Sequence, residues 1–435
     1  MSPLTPLKQR LRSGSFWTMV GYGASQAARL GSNLILTRLL VPEIFGVMAL
    51  VQVVLSGLQM LSDIGISTSV TRDRRGDEAI YLNTAWTMQI IRAVILWIIS
   101  CIVSFPLSYI YSAPELSYLI PMVAVSVLAR GFHSSAVMSL KRHVKLKPLV
   151  VWELTGQIVS VLITLIFAWY SRSIWAIVAG GLLGSIVTLV FSYQLDQSRK
   201  HTFILDPSTV SEIWHFGRWV FISSFLSFVV NRGDILILGA FLTKENLGIF
   251  SIAAIWSKIV LEFLLKINQL LLLPLYAAAK REGHDQARRE IKKTRFWILL
   301  FFLPLTWFLV IGGQVLIDYL YDSRYSSAGW ILEILAIGVI GSVLTVTSAN
   351  ILLAFGDSFR FMIFQFCRGV MLIGCVIFGF YYYEFMGLII GISASKFLSY
   401  PILALLIRRH GVWFPSLDGL AILLSFLVIG LWYFS

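Results

Sequence analysis

The sequence predicts an all-α polytopic membrane protein, and three observations lead to that prediction. The 435 residues are 57% hydrophobic and only 13% charged, whereas soluble domains are nearer to about 45–50% apolar and about 25% charged. The apolar residues form runs of roughly 20 or more, which is the length that a helix needs to cross a bilayer. The basic residues, which give a net charge of +13, fall in the short segments between those runs. Such a distribution is typical of membrane loops and argues against a nucleic-acid partner.

Thirteen apolar runs are long enough to be spanning helices. They cover residues 15–39, 44–70, 81–112, 116–139, 149–170, 174–195, 213–243, 246–279, 296–320, 328–355, 358–383, 385–408 and 417–434. We expect two parallel six-helix lobes around a central cavity, followed by one extra helix. The predicted divisions are residues 1–200 and 201–410 for the lobes, and 411–435 for the last helix.

The basic residues also predict the orientation. With the N-terminus inside, 22 lysines and arginines fall in inner segments. Four fall in outer segments, namely Arg38, Arg172, Lys244 and Arg324. Because cytoplasmic loops collect basic residues, this asymmetry predicts a multi-pass protein of the bacterial inner membrane with a cytoplasmic N-terminus.

An internal repeat relates the two predicted lobes. A shift of 202 positions aligns Trp17 with Trp219 and Gly46 with Gly248, with nine identities over thirty positions. The matched helices are six crossings apart, so the repeats have the same orientation, as in one known class of transporters. The alternative is a chance likeness between two amphipathic helices.

Four arginines lie near the middle of predicted spans. Arg29, Arg92, Arg130 and Arg232 are each about ten residues from a predicted helix end, roughly 15 Å at the rise of an α-helix. A charge at that depth costs at least about 2.5–3.5 kcal/mol, so such residues normally face a water-filled cavity or the bundle interior. An arginine guanidinium suits phosphate recognition because of its planar fork.

Two lysines complete the candidate substrate-binding set. Lys258, Glu262 and Lys266 follow i, i+4, i+8 spacing, which places them on one helix face. That face is either a self-neutralised polar stripe or the charged wall of an inward-facing vestibule. The acidic residues Asp63, Asp234 and Glu262 are candidate coupling residues or structural partners. Basic groups outnumber these acids by nine to three within the spans, so a cavity lined by them favours an anion.

Motifs for enzymatic chemistry are absent from the sequence. There is no P-loop and no Asp-x-Asp pair, and the six histidines do not cluster with metal-ligand spacing. We therefore predict neither an enzyme, nor a bound cofactor, nor a metal site.

Several motifs near the N-terminus carry a family resemblance. They are the stretch Leu40-Val-Pro-Glu-Ile-Phe-Gly46, the segment Ser62-Asp-Ile-Gly65, the loop from Arg72 to Glu78, and Asn83-Thr-Ala-Trp86. With them the chain resembles the polysaccharide transporter branch of the multidrug/oligosaccharidyl-lipid/polysaccharide exporter superfamily. The resemblance implies two six-helix lobes and the flipping of undecaprenyl-pyrophosphate-linked oligosaccharides across a bacterial inner membrane.

The expected function is a flippase or exporter for lipid-linked oligosaccharide, such as repeat units of exopolysaccharide, capsule or O-antigen. Its partners are the lipid-linked glycan, membrane lipids and a glycan polymerase machinery. One alternative is a cation-coupled multidrug exporter, which favours an acidic cavity. The other is a membrane glycan polymerase or ligase, which usually carries a large periplasmic loop.

The orientation can be tested with topology reporters. A reporter fused after Lys293 is expected on the cytoplasmic side, because Lys293 lies in a segment rich in basic residues. A reporter fused after Lys244 is expected on the periplasmic side, because the predicted span 246–279 separates the two positions. Alkaline phosphatase and fluorescent-protein fusions at both positions measure this. The opposite pattern at either position contradicts the predicted helix order.

Overall fold

The chain is helical throughout the residues that a computed structural model describes, which are 5–434 apart from 63–64, 144, 198–200, 269–271, 273–274, 277–278 and 281–282. In a bilayer each backbone N–H and C=O must be bonded within the protein, and an α-helix does this within one segment. Contacts divide the chain into two compact units, Met1–Phe228 and Val229–Ser435. The division falls inside one helix, so the predicted lobe boundaries at 200/201 and 410/411 stay predictions.

Within its described residues, the first unit contains eight complete helices and most of a ninth. They are α1 (Thr5–Leu39), α2 (Pro42–Leu61), α3 (Ile66–Arg72), α4 (Ala79–Ile110), α5 (Leu116–Gly131), α6 (Ala136–Arg142), α7 (Leu146–Ser171), α8 (Ile174–Gln194) and α9 (Pro207–Phe241), which continues into the second unit. Helix α7 packs along α8 and α1, and α4 packs along α5.

The second unit is built around one buried helix. Its described helices after α9 are α10 (Lys244–Ile267), α11 (His284–Leu320), α12 (Ala328–Ala354), α13 (Ser358–Arg408) and α14 (Pro415–Phe434), with a 3-10 turn at Ser323–Tyr325. Helix α12 packs against α10, α11 and α13, and most of its apolar span is buried within the protein. Its neighbours therefore cover it on several sides.

Backbone breaks divide several of the predicted runs. The run 44–70 is broken before α3, where Gly65 has a φ of 63°, a left-handed conformation that glycine adopts without a Cβ clash. The run 116–139 bends by 64° between α5 and α6. The runs 358–383 and 385–408 lie within the element α13, which consists of two helices joined at a kink, because the backbone is non-helical at Tyr383 and Glu384.

The structure contains fewer clear spans than the thirteen predicted. Among the described residues, eight helices are long and apolar enough to cross a membrane, or nine if the bent pair α5–α6 is one span. Helices α1 and α9 and the shorter apolar α14 are not in that set, so the exact number of spans stays a prediction. The all-helical, multi-pass membrane fold is confirmed. The central cavity between two lobes stays a prediction.

Helix bounds agree with the predicted repeat. Helices α1 and α9 end at Leu39 and Phe241, which are 202 positions apart. Helices α2 and α10 begin at Pro42 and Lys244, which are again 202 positions apart. The same offset thus relates helix ends as well as identical residues.

Small residues bring α7 and α8 into close contact. A Cβ added at Gly184 of α8 lies 2.4 Å from the Cβ of Ser160 on α7, and one added at Gly180 lies 1.8 Å from the hydroxyl of Thr164. Glycines four residues apart allow two membrane helices to approach through their backbones. A Cβ at Gly181, in contrast, meets no atom within 4 Å.

A buried ion pair joins the last helix to the second unit. Arg295 of α11 donates from Nη2 to Oδ1 of Asp418 on α14 at 2.6 Å, and the two side chains are 0% and 1% exposed. The hydroxyl of Tyr400 donates to the other oxygen of Asp418. The sequence analysis placed Arg295 in a cytoplasmic loop, which is wrong, because α11 begins at His284 rather than near residue 296.

The ion pair predicts a strong effect on stability. Asp418→Asn is expected to lower the free energy of unfolding by about 3–5 kcal/mol, because it leaves the Arg295 guanidinium buried without a counter-charge. Thermal unfolding of the purified protein in detergent measures this. Adding Arg295→Met to that variant removes the orphaned charge and is expected to recover most of the stability. A double variant no more stable than Asp418→Asn contradicts the argument.

The helix contact predicts opposite effects at neighbouring glycines. Gly184→Ala is expected to cost about 1–3 kcal/mol through overpacking against Ser160. Gly181→Ala meets open space and is expected to stabilise the helix by about 0.5–1 kcal/mol, because alanine loses less backbone entropy on folding. The two unfolding midpoints should move in opposite directions. Equal shifts would mean that the α7–α8 contact is not tight.

Candidate functional site

The first unit contains a cavity of about 1000 Å³ whose lining is basic and polar. Helices α1, α4 and α5 contribute Arg29, Arg92 and Arg130 to its walls, and α6 contributes Lys141. Glu153 of α7 is the one acidic residue among the described lining residues. The lining thus has four basic side chains for one carboxylate.

Three of the six predicted substrate-binding residues line this one cavity. The other three, Arg232, Lys258 and Lys266, belong to the second unit and are not among the lining residues. Of the acidic candidates, Asp234 and Glu262 are also in the second unit, and Asp63 lies outside the described residues. The sequence therefore identified the cavity's arginines but not Lys141, which it assigned to a cytoplasmic loop.

Arg130 reaches the cavity from a helix end, not from the middle of a span. Its predicted depth, about ten residues from the nearer end of the run 116–139, is wrong because α5 ends at Gly131. Gln89 of α4 stabilises this end by donating from its side-chain nitrogen to the carbonyls of Arg130 and Gly131, at 3.1 and 2.9 Å. A cation at a helix C-terminus is favoured by the helix dipole.

Arg92 is anchored by the end of another helix. Its Nη2 donates to the carbonyl of Gln59 at 2.8 Å and its Nε donates to the hydroxyl of Ser62 at 3.0 Å, at the C-terminus of α2. Arg29 donates to the side-chain oxygen of Gln26, one turn away on α1. Both guanidinium groups are thus held in place at the cavity wall.

The charges of Arg130 and Lys141 have no acidic partner among the residues that the structure describes. Neither side chain forms an ion pair within 4 Å or a side-chain hydrogen bond there. An uncompensated cation in a membrane protein is stable when water or an anion reaches it. These two residues therefore give the cavity its free positive charge.

Amide and hydroxyl groups supply the rest of the polar lining. The side chains of Gln157 and Ser25 join α7 to α1, since the Ser25 hydroxyl donates to Oε1 of Gln157 at 2.6 Å and the Gln157 amide donates to the Ser25 carbonyl at 2.9 Å. Gln52 and Gln59 of α2 face the same space. Neutral amides both donate and accept hydrogen bonds, as sugar hydroxyl groups do.

One wall of the cavity is aromatic. The rings of His133 and Trp152 meet edge to face, with centroids 5.0 Å apart, and the Trp152 indole donates to the carbonyl of Thr188 on α8 at 2.8 Å. The Nε2 atom of His133 is buried without a hydrogen-bond partner in the described structure. The edge contact with Trp152 gives His133 a packing role.

The second unit arranges its charges differently. Nζ of Lys258 on α10 lies 3.7 Å from Oδ2 of Asp234 on α9. A lysine and a carboxylate therefore pair across two helices there.

The loop that carries part of the family resemblance is locked by an arginine. Arg142 of α6 donates to Asp77 at 3.0 Å and to the carbonyl of Val70 at 2.6 Å, which satisfies the C-terminus of α3. A Cβ at Gly76 lies 2.5 Å from the Arg142 guanidinium and 2.1 Å from the Val70 carbonyl oxygen. Only glycine fits there, which explains that residue of the motif.

A second motif holds the segment that leads into α9. Asn83 donates to the hydroxyl of Thr202 at 3.0 Å, and the hydroxyl of Thr84 accepts from the backbone N–H of Asp206 at 3.2 Å. Asp206 in turn caps α9, where hydrogen bonds from the hydroxyls of Ser208 and Thr209 lower its pKa to about 2. The polar residues of this motif thus fix the start of the second repeat.

A multi-pass helical bundle with a polar, basic cavity is the architecture of a membrane transporter. The chain belongs to the polysaccharide biosynthesis protein family, whose model matches residues 35–329. This finding confirms the family branch that the N-terminal motifs indicated.

Two relatives have names that refer to succinoglycan and to teichuronic acid biosynthesis. The chain is 20% identical over 321 residues to the succinoglycan biosynthesis transport protein ExoT of Rhizobium meliloti (strain 1021), covering 74% of this chain and 64% of that protein. It is 23% identical over 319 residues to the teichuronic acid biosynthesis protein TuaB of Bacillus subtilis (strain 168), covering 72% and 65%. The matched region thus spans just under two thirds of each relative.

The fold is that of a solved flippase. The lipid II flippase MurJ, in an inward closed conformation, superposes with a TM-score of 0.73 at 11% identity, covering 96% of this chain and 98% of that one. At this level of identity the likeness establishes the shared fold.

Proposed function

We propose that this protein carries lipid-linked oligosaccharide across the bacterial inner membrane by alternating access, with the cavity of the first unit binding the phosphate groups of the substrate. The observation that carries the proposal is the pair of cavity cations, Arg130 and Lys141, that no described acid neutralises. A di- or monophosphate anion supplies the missing charge, and an arginine binds it through charge-assisted hydrogen bonds. The printed name of ExoT, a transport protein of polysaccharide biosynthesis, supports the same class of cargo.

The chemistry of the remaining lining fits a glycan. Gln52, Gln59 and Gln157 offer amide groups that can bond sugar hydroxyls in either sense. The volume of about 1000 Å³ is at the upper end of ligand pockets, about 300–1,000 Å³. A phosphate and its first sugars therefore match both the charge and the size of the cavity.

A cationic drug is the poorer match for this cavity. Four basic side chains against Glu153 repel a cation, whereas a multidrug exporter needs acidic groups to bind one. A glycan polymerase or ligase needs groups for acid–base or metal chemistry. Among the described residues, no group of three His, Cys, Asp or Glu side chains could hold a metal.

Removing the free charges of the cavity tests the proposal. Arg130→Gln is expected to lower transport of a lipid-linked oligosaccharide into vesicles at least about tenfold, because a charge-assisted hydrogen bond contributes about 1.5–3 kcal/mol. Membrane abundance should stay normal, since no described partner is orphaned. Lys141→Gln should act in the same direction, and the double variant should lose more than either.

Arg409→Gln provides the matched control. Arg409 is exposed, follows the end of α13 in the second unit, and lines no part of the cavity. This variant should transport as the wild type does. If Arg130→Gln and Lys141→Gln are stable and fully active, the cavity does not bind the substrate's anion.

A further inference from the structure

A second depression lies on the same unit, next to the basic cavity. It measures about 420 Å³ and runs between the first turns of α7 and the last turns of α8. Val151 and Trp152 of α7 form one side, Phe191 and Leu195 of α8 form the other, and Lys147 stands at its end. We call this depression the α7–α8 groove. Its walls are mainly apolar and its one described charge is basic.

Trp152 is shared by the groove and the cavity. On α7 the residues Val151 and Thr155 face the groove, while Glu153 and Gly156 face the cavity. Residues i and i+4 share a helix face and neighbouring residues do not. Helix α7 therefore has one row of side chains along the groove and another along the cavity. Trp152 lies between the stripes and is 8% exposed. Trp152 is therefore the described side chain that borders both spaces.

The groove opens where helix packing loosens. Further along the same pair of helices, Gly156 and Gly184 hold α7 against α8 so closely that an added Cβ would clash. At the groove the larger side chains of Val151 and Phe191 remain 49% and 42% exposed. Apolar side chains stay exposed elsewhere on α7, as Ile158 does at 49%, but the groove-lining residues are those at the end of the seam beside Trp152.

Charge at the groove's end points to a lipid with an anionic head. Lys147 lies 5.0 Å from the ring centre of Trp17, and lysine with tryptophan is typical of the membrane–water interface. The predicted topology puts this end of α7 on the cytoplasmic side. A hydrocarbon chain in the groove would therefore have its head group close to Lys147 and to the basic cavity.

We propose that the α7–α8 groove holds the polyprenyl chain of the same molecule whose phosphate occupies the cavity, an inference that rests on the proposed function. Lipid tails are as apolar as the groove, so a chain gains little hydrophobic energy by leaving the bilayer. The free energy that fills the groove must then come from the head group. When the head group is bound in the cavity, the attached tail is held at a high effective concentration beside the groove. The groove selects the tail of a bound substrate over bulk phospholipid.

Photolabelling of the full chain tests this assignment. The probe is a polyprenyl diphosphate with a photoreactive group in its tail, added to the protein in vesicles of phosphatidylethanolamine and phosphatidylglycerol. Labels are expected on the peptides that contain Val151 and Phe191, and unlabelled polyprenyl diphosphate should displace them. Displacement by extra phosphatidylglycerol to the same extent would mean that the groove holds bulk lipid, which overturns the proposal.

A matched pair of variants tests whether the groove is needed for transport. Val151→Trp fills the groove, whereas Ile158→Trp adds the same ring two turns along the same face of α7, at a residue with the same 49% exposure that does not line the groove. Val151→Trp should lose tail labelling and transport, and Ile158→Trp should keep both. Equal behaviour of the two variants overturns the assignment.

Binding of inorganic pyrophosphate separates this proposal from the proposed function. Pyrophosphate should bind the Val151→Trp protein as tightly as the wild type, because the cavity is unchanged, and should bind Arg130→Gln more weakly. If pyrophosphate binds and Val151→Trp still transports normally, only the groove is wrong. If pyrophosphate does not bind the wild type, the anion-binding cavity itself is wrong.

Discussion

A charged side chain within a bilayer must find either a counter-charge or water, and this constraint determines how each arginine of the protein is placed. Arg295 has the first solution, because it is buried against Asp418 and held with it inside the second unit. Arg130 and Lys141 have the second, because they face a polar cavity without a described acidic partner. The first arrangement stabilises a fold, since breaking it orphans a charge. The second leaves charge available to a ligand.

The helix breaks are what bring the cavity's charges together. Helix α2 ends at Leu61, ahead of Gly65, and Arg92 donates to the carbonyl of Gln59 and the hydroxyl of Ser62 at that end. The bend after Gly131 places Arg130 at one helix terminus and Lys141 on the short helix that follows. Straight, uninterrupted spans would have separated these residues by about 16 Å along a single axis, at a rise of 1.5 Å for each of eleven residues. Irregular backbone is tolerated in a membrane where it borders such a polar space.

Sequence reasoning recovered the features that depend on composition and periodicity. The helical class, the multi-pass plan and the repeat offset follow from apolar runs and loop charge, and Arg29 and Arg92 could be selected because a charge in an apolar run is unusual. Lys141 could not be distinguished from a loop lysine, because the bend that turns it inward has no strong sequence signal. Arg295 was misplaced because it ends a charged stretch that precedes an apolar run, and such a stretch resembles a loop. Its buried partner Asp418 is 123 residues away in the sequence, so the sequence alone does not reveal the ion pair.

The repeat shows how one backbone plan can serve both uses of an arginine. Helices α4 and α11 are each the next long helix after the matched pair α2 and α10. Arg92 lies on α4 and Arg295 lies on α11. The starts of these helices, Ala79 and His284, are 205 positions apart and their ends, Ile110 and Leu320, are 210 apart, so the offset of 202 does not extend to their register. In the first unit the arginine borders the cavity, and in the second it meets Asp418. Helices at the same place in the two units therefore carry an arginine at a cavity wall in one case and in a structural ion pair in the other.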